Sequence, residues 1–109
     1  MSAQSMFEIL VPTIRRADGK PIKTRFHRVW DAKVREISGG LTILTPAKGQ
    51  WKSPNGELFV ERMIPVRIIC TLERIEDIAK MTAVYYDQLA VLYYRISDHA
   101  VIYTNEAAK

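Results

Sequence analysis

Cysteine and histidine are scarce in this chain of 109 residues. Cys70 has no second cysteine to pair with, so an internal disulfide is excluded, and its place in the apolar run VRIIC predicts a buried thiol. The two histidines, His27 and His99, stand far apart in the sequence and form no paired motif. A metal site needs several such ligands at suitable spacing, so we expect no metal and no cofactor.

Long apolar runs are also missing. No segment approaches the roughly 20 apolar residues that span a bilayer, and the N-terminus lacks the basic and apolar regions of a signal peptide. We therefore expect a cytoplasmic protein without membrane contact. A length of 109 residues and a hydrophobic content of 48% suffice for one core, so residues 1–109 are predicted to form a single domain, with residues 1–5 and 105–109 disordered.

Acidic residues are fewer than basic ones, 12 against 16, and the net charge of +4 favours the approach of anions without identifying one. Arg25, Arg28 and Arg35 share the polar face of the first predicted helix, which makes nucleic-acid binding a lesser alternative. A sheet that binds RNA would display stacking aromatic residues, and residues 63–71 contain none. A nucleic-acid partner is therefore not expected.

Hydrophobic periodicity predicts strands that alternate with helices. The segment MFEILVPTI is rich in strand formers and predicts the first strand. Apolar residues at spacings of three and four predict a helix from Thr24 to Ser38, and Gly39-Gly40 supplies its C-terminal stop. The strand LTILTP follows, and then a long hairpin with Asn55-Gly56 at its turn.

The second half of the chain repeats this alternation. In the strand MIPVRIICT, Pro65 predicts a bulge or an irregular break after Glu61-Arg62. A second helix, the strand AVLYYRIS and a short last strand, VIYT, follow. The predicted inner face of this helix consists of Ile75, Ile78, Ala79, Thr82, Tyr86 and Leu89. The order predicts an α+β, ferredoxin-like split βαβ fold: an antiparallel sheet with two helices on one face and a long projecting hairpin.

The segments GLTIL, KGQW and NGEL, with Glu61 and the later YYDQLAVLYY, resemble a small bacterial domain family of unknown function. The resemblance covers about residues 26–104 and is most specific between Gly39 and Glu61. Tyr86-Asp87-Gln88 departs from the aromatic-Gly-Gln of the family pattern, and Arg62 follows the glutamate where the pattern has other residues. The resemblance implies a compact α+β fold and gives weight to Trp51 and Glu61, but it implies no reaction.

Several polar or aromatic residues are candidates for ligand binding. Trp51, Glu61 and Arg62 approach one another if the hairpin pairs in register, and they could bind a planar polar ligand or brace the hairpin. His27 could act as a base in a cleft or be a structural histidine. Lys33 falls among the apolar positions of the first helix, so it either extends to solvent or points its charge into a pocket.

Strand alternation also predicts an interface between subunits. Ile64, Val66 and Ile68 are expected to face the helices, and the opposite face is expected to be apolar. Two helices cover only one side of such a sheet, so this outer face predicts a homodimer. The predicted interface residues are Met63, Arg67, Ile69, Tyr93 and Arg95.

Two hypotheses for function follow. The first is a homodimeric, non-catalytic module that binds a small ligand or a protein partner through the hairpin and the sheet edge. The alternative is a cofactor-independent enzyme with a pocket between helices and sheet or at the dimer interface. It would use His27 or Glu61 as a base and Arg62 or Lys33 to stabilise an anion. Spacing assigns no nucleophile, base and orienting group, so the catalytic residues are unknown and the non-catalytic hypothesis ranks first.

Overall fold

A computed structural model describes residues 4–108, which form five strands and two helices. The strands are β1 (Ser5–Pro12), β2 (Thr42–Ile43), β3 (Ala47–Lys52), β4 (Leu58–Cys70) and β5 (Tyr93–Ser97). The helices are α1 (Thr24–Ser38), which has the predicted bounds, and α2 (Leu72–Tyr85). Gly39 ends α1 with a φ of 90°, a left-handed conformation that glycine adopts easily.

All five strands belong to one sheet in which β4 is central. β4 pairs with β1 along one edge and with β2 and β3 along the other, and β1 pairs in turn with β5. These pairings are antiparallel. Helix α1 connects β1 to β2 across β4, and α2 connects β4 to β5 across β1. This is the predicted split βαβ topology, so the ferredoxin-like α+β fold is confirmed.

Both helices pack on one face of the sheet, where α1 contacts α2 and β4, and α2 contacts β1 and β4. Alternate residues of two central strands supply the sheet side of the core: Phe7, Ile9, Val11, Val66, Ile68 and Cys70. Between the helices, the Trp30 Nε1–H donates to Thr82 Oγ1 at 2.9 Å, and both side chains are buried. An unpaired buried donor would cost about 1–3 kcal/mol, so this bond fixes α1 against α2.

Cys70 is buried in this core, as the sequence predicts. Burial raises the pKa of its thiol to about 11, although the nearby charge of Arg74 acts in the opposite direction. A thiol with this pKa is almost entirely protonated near neutral pH. Cys70 therefore acts as a small apolar side chain rather than as a nucleophile.

β3 and the first half of β4 form the projecting hairpin that Asn55-Gly56 predicts. Six residue pairs join the two strands, and every residue of β3 is exposed. Gly56 has a φ of 88°, and its N–H donates to the Ser53 carbonyl at 2.9 Å, which closes the turn. The molecule measures 55 Å along its longest axis against 30 and 23 Å along the others.

Pro65 does not interrupt β4, contrary to the predicted bulge. β4 continues through all 13 of its residues, and Pro65 pairs with Leu10 of β1 in regular register. The chain is instead interrupted on the edge of β4 that faces away from β1. There β2 ends at Ile43 and β3 begins only at Ala47. The Pro65 carbonyl accepts a hydrogen bond from the Leu44 N–H at 2.9 Å. Pro65 donates none in return, because proline has no N–H.

Three further predictions differ from the structure. β2 contains only Thr42 and Ile43 rather than the whole of LTILTP. The segment VIYT, residues 101–104, is exposed and forms no strand. Helix α2 ends at Tyr85, so Leu89 lies beyond the helix and is 86% exposed instead of facing the core.

The predicted disorder of the chain ends concerns residues 1–5 and 105–109, and residues 1–3 and 109 lie outside the described residues. Within the described part, β1 begins at Ser5. The Ser5 hydroxyl donates to the Asp98 carbonyl at 3.1 Å, so this residue belongs to the sheet.

Candidate functional site

The hairpin distributes Trp51, Glu61 and Arg62 over two faces. Trp51 pairs with Phe59, and their rings stack with centroids 4.4 Å apart and planes inclined by 12°. Glu61 lies two residues beyond Phe59 and pairs with Gly49, so it is a diagonal neighbour of Trp51 on the same face. Arg62 is the next residue of the strand and points to the opposite face. The predicted group of three is therefore wrong, because strand alternation removes Arg62 from it.

His27 and Lys33 lie where α1 meets the end of α2. The His27 Nδ1 atom is 2.7 Å from the Tyr86 hydroxyl, and the Lys33 Nζ atom lies 5.6 Å from the centroid of the Tyr85 ring. Burial raises the pKa of the Tyr86 hydroxyl, so this group remains protonated and donates to Nδ1 in the imidazole tautomer that carries its proton on Nε2. Burial also lowers the pKa of His27, although the charge of Asp31 opposes this. Lys33 is exposed, so it extends to solvent across the ring rather than into a pocket.

The four residues considered for catalysis belong to two separate parts of the fold. His27 and Lys33 belong to α1, whereas Glu61 and Arg62 belong to the hairpin and point to opposite faces of it. None of the four lines the cleft described below. Every predicted combination of a base with a cation except His27 with Lys33 therefore joins groups on different elements or on opposite faces, and His27 and Lys33 lie outside that cleft.

The sheet face opposite the helices, which we call the outer face, has an ion pair near its centre. Glu8 is only 8% exposed, and its carboxylate accepts hydrogen bonds from Arg67 Nε, at 3.1 Å, and from the Tyr94 hydroxyl. The hydrogen bond to Glu8, with burial and the carboxylate charge adding to it, raises the pKa of Tyr94, so the hydroxyl remains a donor. Apolar side chains that do not belong to the core lie on the same face: Met6, Leu10, Met63, Pro65 and Ile69.

The residues of β5 that lie on the outer face differ from those that the sequence predicts. Tyr93 pairs with Ile9 and packs against the core, so it faces the helices. Arg95 pairs with Phe7, and its guanidinium lies 5.4 Å from the centroid of that ring, on the same side. The outer-face prediction is therefore wrong for Tyr93 and Arg95, because a shift of one residue exchanges the faces of a strand. It is correct for Met63, Arg67 and Ile69.

A cleft of about 650 Å³ opens between the β1–α1 loop, the first turn of α1 and the end of α2. We call it the basic cleft. Apolar and aromatic side chains, among them Ile22, Phe26 and Tyr85, form part of its wall. Its charged lining consists of Arg15, Arg16, Lys20, Lys23, Arg25 and Asp87.

None of the ligand-binding candidates that the sequence predicts lines the basic cleft. One signal was present, because residues 15–25 contain five cations and one acidic residue. The other wall comes from the end of α2, about sixty positions later in the chain, and only the tertiary fold brings it to this loop.

Arg16 clamps the two walls of the basic cleft together. Its Nη2 atom lies 3.1 Å from both carboxylate oxygens of Asp87, and its Nε–H donates to the Asp87 carbonyl at 2.9 Å. The β1–α1 loop has its own internal bonds, since the Arg15 N–H donates to the Lys20 carbonyl and the Gly19 N–H to the Arg15 carbonyl, both at 2.8 Å. These bonds connect the loop to the end of α2 without a ligand.

Asp87 has a backbone conformation that favours glycine. Its φ of 52° lies in the left-handed region, two residues after the end of α2. Aspartate is one of the few other residues that adopt this conformation at modest cost. Here the aspartate also provides the carboxylate that Arg16 grips, which a glycine could not.

Together these features define an α+β protein with a ferredoxin-like fold, a basic cleft beside the helices and an apolar outer sheet face. Neither a protein-family model nor a curated protein matches the sequence. Solved structures match its fold. One is a phage SAM lyase in complex with S-methyl-5'-thioadenosine, with a TM-score of 0.65 and 14% identity over 91% of this chain and 84% of that one.

Two divalent cation tolerance proteins show the same likeness. CutA1 from Thermus thermophilus has a TM-score of 0.63 and 9% identity over 95% of this chain and 89% of its own. The periplasmic CutA from Archaeoglobus fulgidus has a TM-score of 0.58 and 10% identity, with the same coverage of 95% and 89%. At such low identities the likeness shows the fold alone, so this chain has the fold of the CutA1 proteins.

Among residues 4–108, no group of three or more His, Cys, Asp and Glu side chains is close enough to hold a metal ion. Neither of the helices formed by those residues is long and apolar enough to cross a bilayer.

We predict that His27 makes the protein less stable as pH falls. The unfolded imidazole titrates near pH 6.5, and the folded one binds its proton more weakly, so acidification through pH 6.5 favours the unfolded state. The free energy of unfolding, measured by urea denaturation from pH 7.5 to 5.5, should fall towards acid by at most about 1.4 kcal/mol per pH unit from this residue. The His27→Gln variant should show a flatter profile.

The matched control is His99→Gln, because His99 is exposed. This variant should keep the pH dependence of the unsubstituted protein. A His27→Gln profile that parallels that of the unsubstituted protein would show that the Tyr86 contact does not disfavour the imidazolium.

Proposed function

We propose that this protein is a self-associating, non-catalytic module that binds a small ligand. The observation that carries the proposal is the separation of two surfaces. The outer face of the sheet is apolar and has no helix over it, and the basic cleft lies among the helix ends on the other side. One surface suits a second copy of the chain, and the other suits a ligand.

The outer face fits a second copy because its charges already have partners. Covering an apolar sheet face is favourable, whereas burying a charge without a partner is costly. Glu8 has both Arg67 and Tyr94 as donors within one chain, so a partner subunit could cover it without leaving the carboxylate unpaired. A two-fold homodimer is the simplest closed assembly that pairs such a face with itself.

The basic cleft supports the ligand-binding half of the proposal. Its volume of about 650 Å³ lies inside the range of roughly 300–1,000 Å³ that is usual for small-molecule sites. The phage SAM lyase, whose fold is similar, is a case in which such a chain holds a small organic molecule, S-methyl-5'-thioadenosine. Trp51 and Glu61 lie on the exposed hairpin, where they are candidates for contacts between subunits rather than for this cleft.

Charges introduced into the outer face should dissociate the assembly. We expect the unsubstituted protein to sediment with more than the 12.5 kDa mass of one chain at micromolar concentration. Met63→Glu and Ile69→Glu should shift it to the monomer, because a buried, unpaired carboxylate costs several kcal/mol. Val84→Glu is the matched control, since Val84 is 83% exposed on α2 and its replacement should leave the mass unchanged.

Two outcomes would contradict this assembly. One is an unsubstituted protein that remains monomeric throughout the concentration range. The other is an oligomer whose mass is the same in the Met63→Glu, Ile69→Glu and Val84→Glu variants.

A second candidate function is a lyase that acts on S-adenosylmethionine, and the likeness to the phage SAM lyase favours it. In this chain Glu8 and Tyr94 place a carboxylate and a phenol side by side on the outer face, where a second copy would enclose them. Incubation with S-adenosylmethionine should then release S-methyl-5'-thioadenosine, detected by chromatography, and Glu8→Gln should abolish the release. An unsubstituted protein that forms no product above the buffer blank would dismiss the lyase.

A further inference from the structure

We propose that the basic cleft binds a small organic molecule that carries a phosphate group. This inference rests on the proposed function, in which the cleft is the ligand site, and it adds the chemical class of the ligand. Three properties of the cleft favour such a ligand: its uncompensated charge, its aromatic wall and its concave shape.

The first property is an excess of cations without acidic partners. Arg15 is 3.5 Å from Asp18, and Arg16 is 3.1 Å from Asp87, so these two arginines are already paired. Within residues 4–108, no ion pair involves the remaining cations of the lining: Lys20, Lys23 and Arg25. Three positive charges in the lining of one cleft repel one another unless an anion lies between them.

A phosphate group neutralises the positive charge of these side chains better than a single carboxylate does. A phosphate monoester carries a charge of about −1.5 to −2 at neutral pH and offers three acceptor oxygens, enough for several donors at once. Lysine contributes a compact ammonium charge, and arginine contributes a planar guanidinium that can donate two hydrogen bonds to one phosphate. The first turn of α1 contains no acidic residue, and its N-terminus has no side-chain cap, so the helix adds only a partial positive charge to that of the side chains.

The second property is an aromatic wall beside these cations. Phe26 is 45% exposed, and the Arg25 guanidinium lies 5.1 Å from the centroid of its ring. The Tyr85 hydroxyl donates to the Phe26 carbonyl at 2.6 Å, which holds the two residues next to each other. A ligand whose phosphate meets Lys23 and Arg25 would therefore place its organic part against Phe26 and Tyr85.

The third property, shape, favours a small molecule over a nucleic acid. Nucleic-acid surfaces track a long backbone with extended stripes of charge, whereas these cations surround one concavity of about 650 Å³. Arg16 holds both walls in place through Asp87, which suits a site of fixed size. We therefore infer one phosphate-bearing ligand per chain.

The test is a titration of the full-length protein, followed by NMR of its backbone amides. The probes are phenyl phosphate, inorganic phosphate and the neutral benzyl alcohol. We expect phenyl phosphate to shift the amides of residues 20, 22–26 and 85–87 in a saturable, salt-sensitive manner. It should bind at least about tenfold more tightly than either benzyl alcohol or inorganic phosphate, since each lacks one of the two recognised parts.

Charge-matched variants separate a site from a general electrostatic effect. Lys23→Gln combined with Arg25→Gln removes two cations from the cleft, and Arg28→Gln combined with Lys80→Gln removes two exposed cations elsewhere. The first pair should weaken phenyl phosphate about tenfold or more, and the second less than about twofold. Equal weakening in both pairs would overturn the inference, because net charge alone would then explain the binding.

The remaining outcomes distinguish the ligand class from the proposed function. If benzyl alcohol shifts the cleft amides as strongly as phenyl phosphate, the phosphate class is wrong and a small-ligand site remains. If neither probe shifts them, both the class and the ligand half of the proposed function fail, whatever sedimentation shows. A single-stranded DNA oligonucleotide that displaces phenyl phosphate at far lower concentration, with a steep salt dependence, would overturn the small-ligand inference in favour of nucleic acid.

Discussion

The pairing of β4 along both of its edges is the constraint on which the rest of the structure depends. Strands of about five or six residues are typical, whereas β4 has 13, so it extends well past the core. Both helices pack against its second half, and its first half forms the hairpin with β3. Because side chains alternate along a strand, this element also carries Met63, Arg67 and Ile69 to the outer face.

This arrangement separates the two proposed activities in space. The outer face belongs to the strands, and the basic cleft is formed by the β1–α1 loop and the ends of the helices. The Glu8–Arg67 pair satisfies the charge of the outer face within one chain, so apolar contacts are left to drive association. In the basic cleft only two of the five cations are paired, so the remaining charge is left for a ligand. Loss of one activity need not remove the other.

Local signals in the sequence predicted most of the fold but only part of the candidate site. The bounds of α1 and the turn at Asn55-Gly56 follow from periodicity and backbone preference, which act over a few residues. The face of β5 depends on its register with β1, which no local pattern specifies, so Tyr93 was assigned to the wrong side. The irregularity expected at Pro65 lies instead between β2 and β3. The basic cleft needed two distant segments, and only the fold brings Asp87 to Arg16.

Hydroxyl-radical footprinting over a range of protein concentrations tests most directly whether the outer face is the interface, since it measures the solvent exposure of individual side chains. The account predicts that oxidation of Met63 and Tyr94 falls as the protein associates. Oxidation of Tyr103, which is 88% exposed, should stay constant. Unchanged oxidation of Met63 and Tyr94 over a range in which sedimentation detects association would contradict the account, because the subunits would then meet through another surface.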